Sequence, residues 1–148
     1  MLAPLDAISL ASAIIQIVDF SFKIIKETYA VYNSEKGSVA ESREIEIAST
    51  RLQDLSVRLP GLRRPGQSKK SQEELDLDDL SRTCEQHADK LLQIMSKLKA
   101  TSTGPQRAFE SLKVTLQRHF KADEIEGLQK GLRKIQVDIN TLLLAIIR

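Results

Sequence analysis

The chain has 148 residues, of which 28% are charged, 41% hydrophobic and 4% aromatic, with one Cys, no Trp and a net charge of +2. That length suits one domain, 1–148, with a real core, and the scarcity of aromatic, Gly and Pro residues favours helices over strands. So small a net charge makes no electrostatic case for nucleic acid, and a lone cysteine cannot form an internal disulfide.

The first predicted element is unusually apolar. From Ala7 to Val18 there is no charge. Ile8, Ala11, Ile15, Val18, Phe22, Ile25, Tyr29 and Tyr32 step by three and four, which keeps one face of a helix. A second stripe of Leu10, Ile14, Ile17, Ile24 and Val31 lies beside it, leaving only Ser9, Ser12, Gln16, Asp19, Lys23 and Lys26 as a narrow polar face. Asp6 is the expected N-cap with Pro4 outside it, and the turn residues "NSEKGS" end the helix near Asn33.

This segment is neither a secretory signal nor, alone, a stable membrane span. Residues 2 to 22 hold Asp6 and Asp19 but no Lys or Arg, so the basic start of a signal peptide is missing. A span needs about 20 apolar residues; reaching that length takes in Asp19 and Lys23, each costing on the order of 3 kcal/mol at mid-bilayer. A helix greasy around most of its girth is either central in a bundle or turned to lipid.

The second helix is expected over 39–59, with Ile45, Ala48, Leu52, Leu55 and Leu59 inward and Pro60-Gly61 as its stop. Residues 60–71, "PGLRRPGQSKKS", read as a flexible basic loop. The third, 73–100, turns Leu77, Leu80, Cys84, Ala88, Leu91, Met95 and Leu98 inward, with acids at its start and lysines at its end as the helix dipole favours. "RAFESLKVTLQRHF" reads as a shorter helix with Phe109, Leu112, Leu116 and Phe120 on its apolar side. The last helix is the most regular, carrying Ile125, Leu128, Leu132, Ile135, Ile139, Leu142 and Ile146. The expected fold is all-α: an antiparallel four-helix bundle with one additional short helix.

Chemistry is sparse. Only His87 and His119 are available as histidines. Cys84 and His87, three apart on one helix face, could form a thiolate–imidazole pair, but no orienting third group is suggested and a buried small residue beside a half-exposed His is the simpler reading. No phosphate-binding glycine loop, zinc-protease or EF-hand pattern occurs. The chain reads as a non-enzyme with no cofactor and no bound metal. Arg63, Arg64, Lys69 and Lys70 could meet anionic lipid headgroups at about 1 kcal/mol per charge; a solvated linker is the simpler reading, and no aromatic interleaves them as nucleic-acid binding would want.

Three segments in order resemble a known family. "LDAISLASAIIQIVDFSFKIIKETYAVYNSEKGSVAESREIE", "LSRTCEQHADKLLQIMSKLK" and "IEGLQKGLRKIQVDINTLLLAIIR" together resemble the fungal HeLo-like domains found at the N-terminus of NOD-like (NLR, STAND) receptors, relatives of the four-helix cell-death domain of the mixed-lineage kinase-like pseudokinase. The resemblance implies an effector of programmed cell death in fungal innate immunity and heterokaryon incompatibility. Such a domain is cytoplasmic at rest and acts at the plasma membrane after oligomerisation, with the rest of a receptor following in cis. This chain departs from the pattern in two ways. Its first glycine is Gly37, so the glycine zipper of some relatives is replaced at most by Ala3, Ala7 and Ala11, and it has no Trp near the fourth helix.

The residues expected to meet membrane are Leu5, Ile8, Leu10, Ile14, Ile15, Ile17, Val18 and Phe22. Ile14 is expected off the main seam, so that an acidic replacement there spares the fold. The expected partners are membrane lipids, further copies of the chain and the receptor domains in cis. The alternative is a non-lytic protein–protein interaction or homodimerisation module, in which a partner helix covers the same apolar strip.

Overall fold

The computed structural model describes residues 4–33, 39–63, 71–100 and 122–147. Among these residues there are four helices and no strand: α1 Pro4–Asn33, α2 Val39–Leu62, α3 Gln72–Ala100 and α4 Ala122–Ile147. The short helix expected over 107–120 lies outside the described residues.

Boundaries follow local chemistry with three corrections. α1 begins at Pro4, so Asp6 is inside the helix and is not its cap; proline is favoured at a first helical position because its missing N–H would be unpaired there anyway. α2 does not stop before Pro60 but runs to Leu62. Proline costs a helix most in its interior; here it falls in the last turn, and the residues after it are tied to α3, where Arg63 pairs with Glu85 at 2.9 Å. α3 starts on a cap, Ser71, that lies within the expected loop 60–71: Ser71 Oγ accepts from the Glu74 N–H at 3.3 Å, and Leu75 N–H donates to the Ser71 carbonyl at 3.0 Å.

The helices form a ring, α1 beside α2, α2 beside α3, α3 beside α4 and α4 beside α1, and α1 also meets α3 across the middle. The diagonal contact is made at Cys84, a small, fully buried residue of α3. The Cys84 thiol reaches the Ile14 carbonyl of α1 at 3.9 Å. The expected seams of α2 and α4 are buried, Ala48, Leu52, Leu55 and Leu59 on one and Ile125 through Ile139 on the other, with Ile45, Leu142 and Ile146 at their margins.

α1 and α3, at the two ends of the diagonal, are therefore each packed against the other three helices. The polar stripe of α1, Ser9, Ser12, Gln16, Asp19, Lys23 and Lys26, is exposed as the spacing predicts. Both of its apolar stripes reach the core: Leu10, Ile14, Ile17 and Ile24 of the second are buried with Ala11, Val18 and Ile25 of the first, whereas Ile8, Ile15 and Phe22 of the first border solvent. The reason is the number of neighbours, since a helix touched from three sides needs more than one seam.

Candidate functional site

The candidate site is α1. Over Ala7–Thr28, 22 residues, it is long and apolar enough to cross a membrane by length and composition, and half of it is buried inside the bundle. At 1.5 Å per residue that stretch is about 33 Å long, close to the hydrocarbon thickness of a bilayer. A central bundle helix meets the same criterion, so the placement of each side chain decides what it can do.

Of the residues assigned to membrane contact, Leu10, Ile14, Ile17 and Val18 are core in this state. Ile14 is 0% exposed, which corrects its expected place off the seam. Leu5 lies in α1, its side chain outside the described set. The accessible apolar edge is Ile8, 41% exposed, followed by the half-buried Ile15 and Phe22. These three are seven residues apart, hence one line along the helix. The structure thus splits the seven described ones into a face that touches solvent and a face that reaches lipid or a partner only if α1 leaves the bundle.

Polar contacts hold α1 to α2 at the surface. Lys23 Nζ lies 3.7 Å from Glu44 Oε2, both side chains about half exposed. The Arg51 guanidinium sits over the Phe20 ring, 5.9 Å from its centroid. An exposed pair of this kind contributes at most about 1 kcal/mol, so burial and not charge docks α1.

The basic loop divides. Arg63 is not a free headgroup contact at rest: its guanidinium donates to Glu85 and, at 3.3 Å, to Ser81 Oγ, and it is half-buried. Ser81 Oγ in turn donates to the Asp78 carbonyl at 2.7 Å, and Ser56 Oγ of α2 donates to Asp89 Oδ1 at 3.1 Å. This polar seam between α2 and α3 gave no periodic signal in the sequence. Arg64, Lys69 and Lys70 lie outside the described residues.

Cys84 and His87 do not form a pair. The thiol points into the α1 contact and its pKa is pushed up to about 12, chiefly by burial and secondarily by the Glu85 charge, so it remains a thiol and is not a nucleophile at neutral pH. His87 Nδ1 faces the Thr83 carbonyl at 2.9 Å, which makes Nδ1 the donor. Its other edge lies against α4 where Gly131 leaves room: a Cβ there would collide with Nε2. Among the described residues, no three His, Cys, Asp or Glu side chains gather as a metal would require. Comparison with protein-family models, curated proteins and solved structures finds no match for this chain.

Proposed function

We propose that this protein is a non-enzymatic signalling effector whose bundle stores a membrane-competent helix and presents it on oligomerisation, permeabilising or targeting the plasma membrane in cell death. The observation that carries the reading is the dual character of α1: a bilayer-length apolar stretch held half-buried by three helices, with an apolar edge at Ile8, Ile15 and Phe22 open to a first contact. The resemblance of the three quoted segments to HeLo-like domains points the same way. In this reading the protein is cytoplasmic at rest, partners are lipids, further copies and receptor domains in cis, and no cofactor takes part.

The arrangement we propose is an antiparallel bundle completed by a short helix over 107–120. Paired contacts support the antiparallel sense. Phe20 meets Arg51 while Lys23 meets Glu44, and Ser56 meets Asp89 while Arg63 meets Glu85, so partner numbers fall as the first numbers rise.

Dye-loaded liposomes, anionic and neutral, test the function, with Ile8→Glu as the diagnostic variant because Ile8 is accessible without unfolding the core. Leakage by the wild type, lost in a folded Ile8→Glu chain, is expected. Equal leakage from both chains counts against the role of that edge.

A second reading has its own observation. Val137 and Leu144 of α4 are 63% and 70% exposed and seven residues apart, so they share a face outside α1. A helix-binding or homodimerisation module would use such a face and leave liposomes intact. A concentration-independent dimer with no leakage favours it.

A further inference from the structure

We propose that α1 does not separate from the bundle as one unit but opens first along its C-terminal half, residues 20–28, where unpartnered hydroxyls weaken its docking in the bundle. The inference concerns the bundle in water and stands whether or not α1 ever meets lipid.

Between Ala7 and Val18 every buried side chain of α1 is apolar: Ala7, Leu10, Ala11, Ala13, Ile14, Ile17 and Val18. Beyond Asp19 the buried set changes to Ser21, Ile24, Ile25 and Thr28. Ser21 and Thr28 are 1% and 3% exposed, and their hydroxyl oxygens have no hydrogen-bond partner among the described residues. Seven positions apart, they occupy one face of α1.

The same condition recurs on the neighbouring helix. Ser49 Oγ of α2 is enclosed and likewise without a partner. Glu44 lies opposite Lys23 and Arg51 opposite Phe20, so Ser49, between them on α2, stands at the level of Ser21. Two helices thus hold enclosed hydroxyls at one level of the bundle, with no bond between them.

Three threonines among the described residues show how a helical hydroxyl is satisfied within its own helix. Thr50, Thr83 and Thr141 each donate to the carbonyl four residues back, at 3.0, 3.2 and 3.0 Å. Ser21 and Thr28 do not. On docking they give up water and gain no bond, which offsets part of what Ile24 and Ile25 contribute by burial. Opening residues 20–28 returns the hydroxyls to water and is therefore the easier of the two openings, while residues 10–18 must expose only aliphatic surface. Local opening with its own free energy is the expected behaviour of such a segment.

Native-state amide hydrogen exchange on the full 148-residue chain tests this directly. In the wild type, amides of residues 20–28 should exchange at least about tenfold faster than those of 10–18. Thr28→Val keeps the side-chain shape and removes the hydroxyl; it should slow exchange over 20–28 about fivefold or more and leave 10–18 unchanged. Thr28→Ser keeps the hydroxyl and should give no such protection. Unchanged or faster exchange over 20–28 in Thr28→Val overturns the proposal, as does a wild-type chain in which 10–18 opens as readily as 20–28.

Discussion

Ile14→Glu is the sharpest test of where α1 sits. Ile14 is 0% exposed, and its backbone carbonyl faces Cys84 of α3 across the diagonal contact. Truncating such a side chain to Ala costs about 2–5 kcal/mol. A carboxyl in the same place adds about 1–3 kcal/mol even when it takes up a proton, because it gives up its hydration on burial. Against a domain stability of about 5–15 kcal/mol, Ile14→Ala should fold and Ile14→Glu should lose most or all of its native population. Ile8→Glu exchanges a side chain already 41% exposed, and its expected cost is about 1 kcal/mol.

Urea titration followed by far-UV circular dichroism is the assay, since the chain has no Trp to report by fluorescence. With a slope of about 2 kcal/mol/M, Ile14→Ala should move the midpoint down by about 1–2.5 M and Ile8→Glu by about 0.5 M. An Ile14→Glu chain with a wild-type midpoint would show that Ile14 is not core and that α1 is not docked as described. The same arithmetic governs the liposome experiment. Loss of leakage in Ile14→Glu would report unfolding, whereas loss in Ile8→Glu reports the accessible edge.

Other perturbations read other contacts. Gly131→Ala places a Cβ where the His87 ring sits, so His87 must swing out and give up the Thr83 carbonyl; the net cost should be about 1 kcal/mol, or about 3 °C in a thermal melt, and His87→Ala in the same chain should restore it. Glu85→Gln removes the charge facing Arg63, whose side chain is 16% exposed, and should cost about 1–3 kcal/mol by urea titration, whereas Glu44→Gln at the exposed Lys23 pair should stay within about 0.5 kcal/mol. Cys84 should react slowly with a disulfide reagent when folded and quickly in urea. Burial raises its pKa from 9.0 to about 12, so the unfolded chain loses its thiol proton first and stability falls across that interval. Cys84→Ala should remove this part of the alkaline decline, read as the difference between the two chains' urea midpoints at pH 8 and pH 10.

Periodicity made much of the fold legible and misjudged one helix. α2 and α4 each meet two neighbours among the described helices, and a single seam in each sequence, Ala48 to Leu59 and Ile125 to Ile139, is what the structure buries. α1 meets three neighbours, and nothing in its own residues states that number; Leu10, Ile14 and Ile17 therefore read as surplus when they are the centre. Contacts that depend on register between distant segments were equally silent. Gly131 opposite His87, and Ser56 opposite Asp89, are ordinary residues until two helices are aligned. Ser71 was legible in principle, since Ser followed three residues later by Glu74 is a capping-box spacing, but the basic loop before it drew it into the linker.

The position of α1 also limits how it could ever act on a membrane. Leu10, Ile14, Ile17, Val18, Ile24 and Ile25 are all buried, and at about 1.5–3 kcal/mol each their exposure to water would cost about as much as the whole domain's stability. A freely extended α1 on an otherwise native bundle is thus not a state the chain visits in water. The helix can leave only if another apolar phase receives these side chains as they come out, whether acyl chains or the α1 helices of further copies. Asp19 and Lys23 favour copies at the start, because a charged stripe that faces like stripes or water in an assembly avoids the bilayer centre. In the proposed function, clustering and release would then be coupled by the same side chains: the assembly would make the departure of α1 affordable, and the buried face of α1 would be what the assembly is built from.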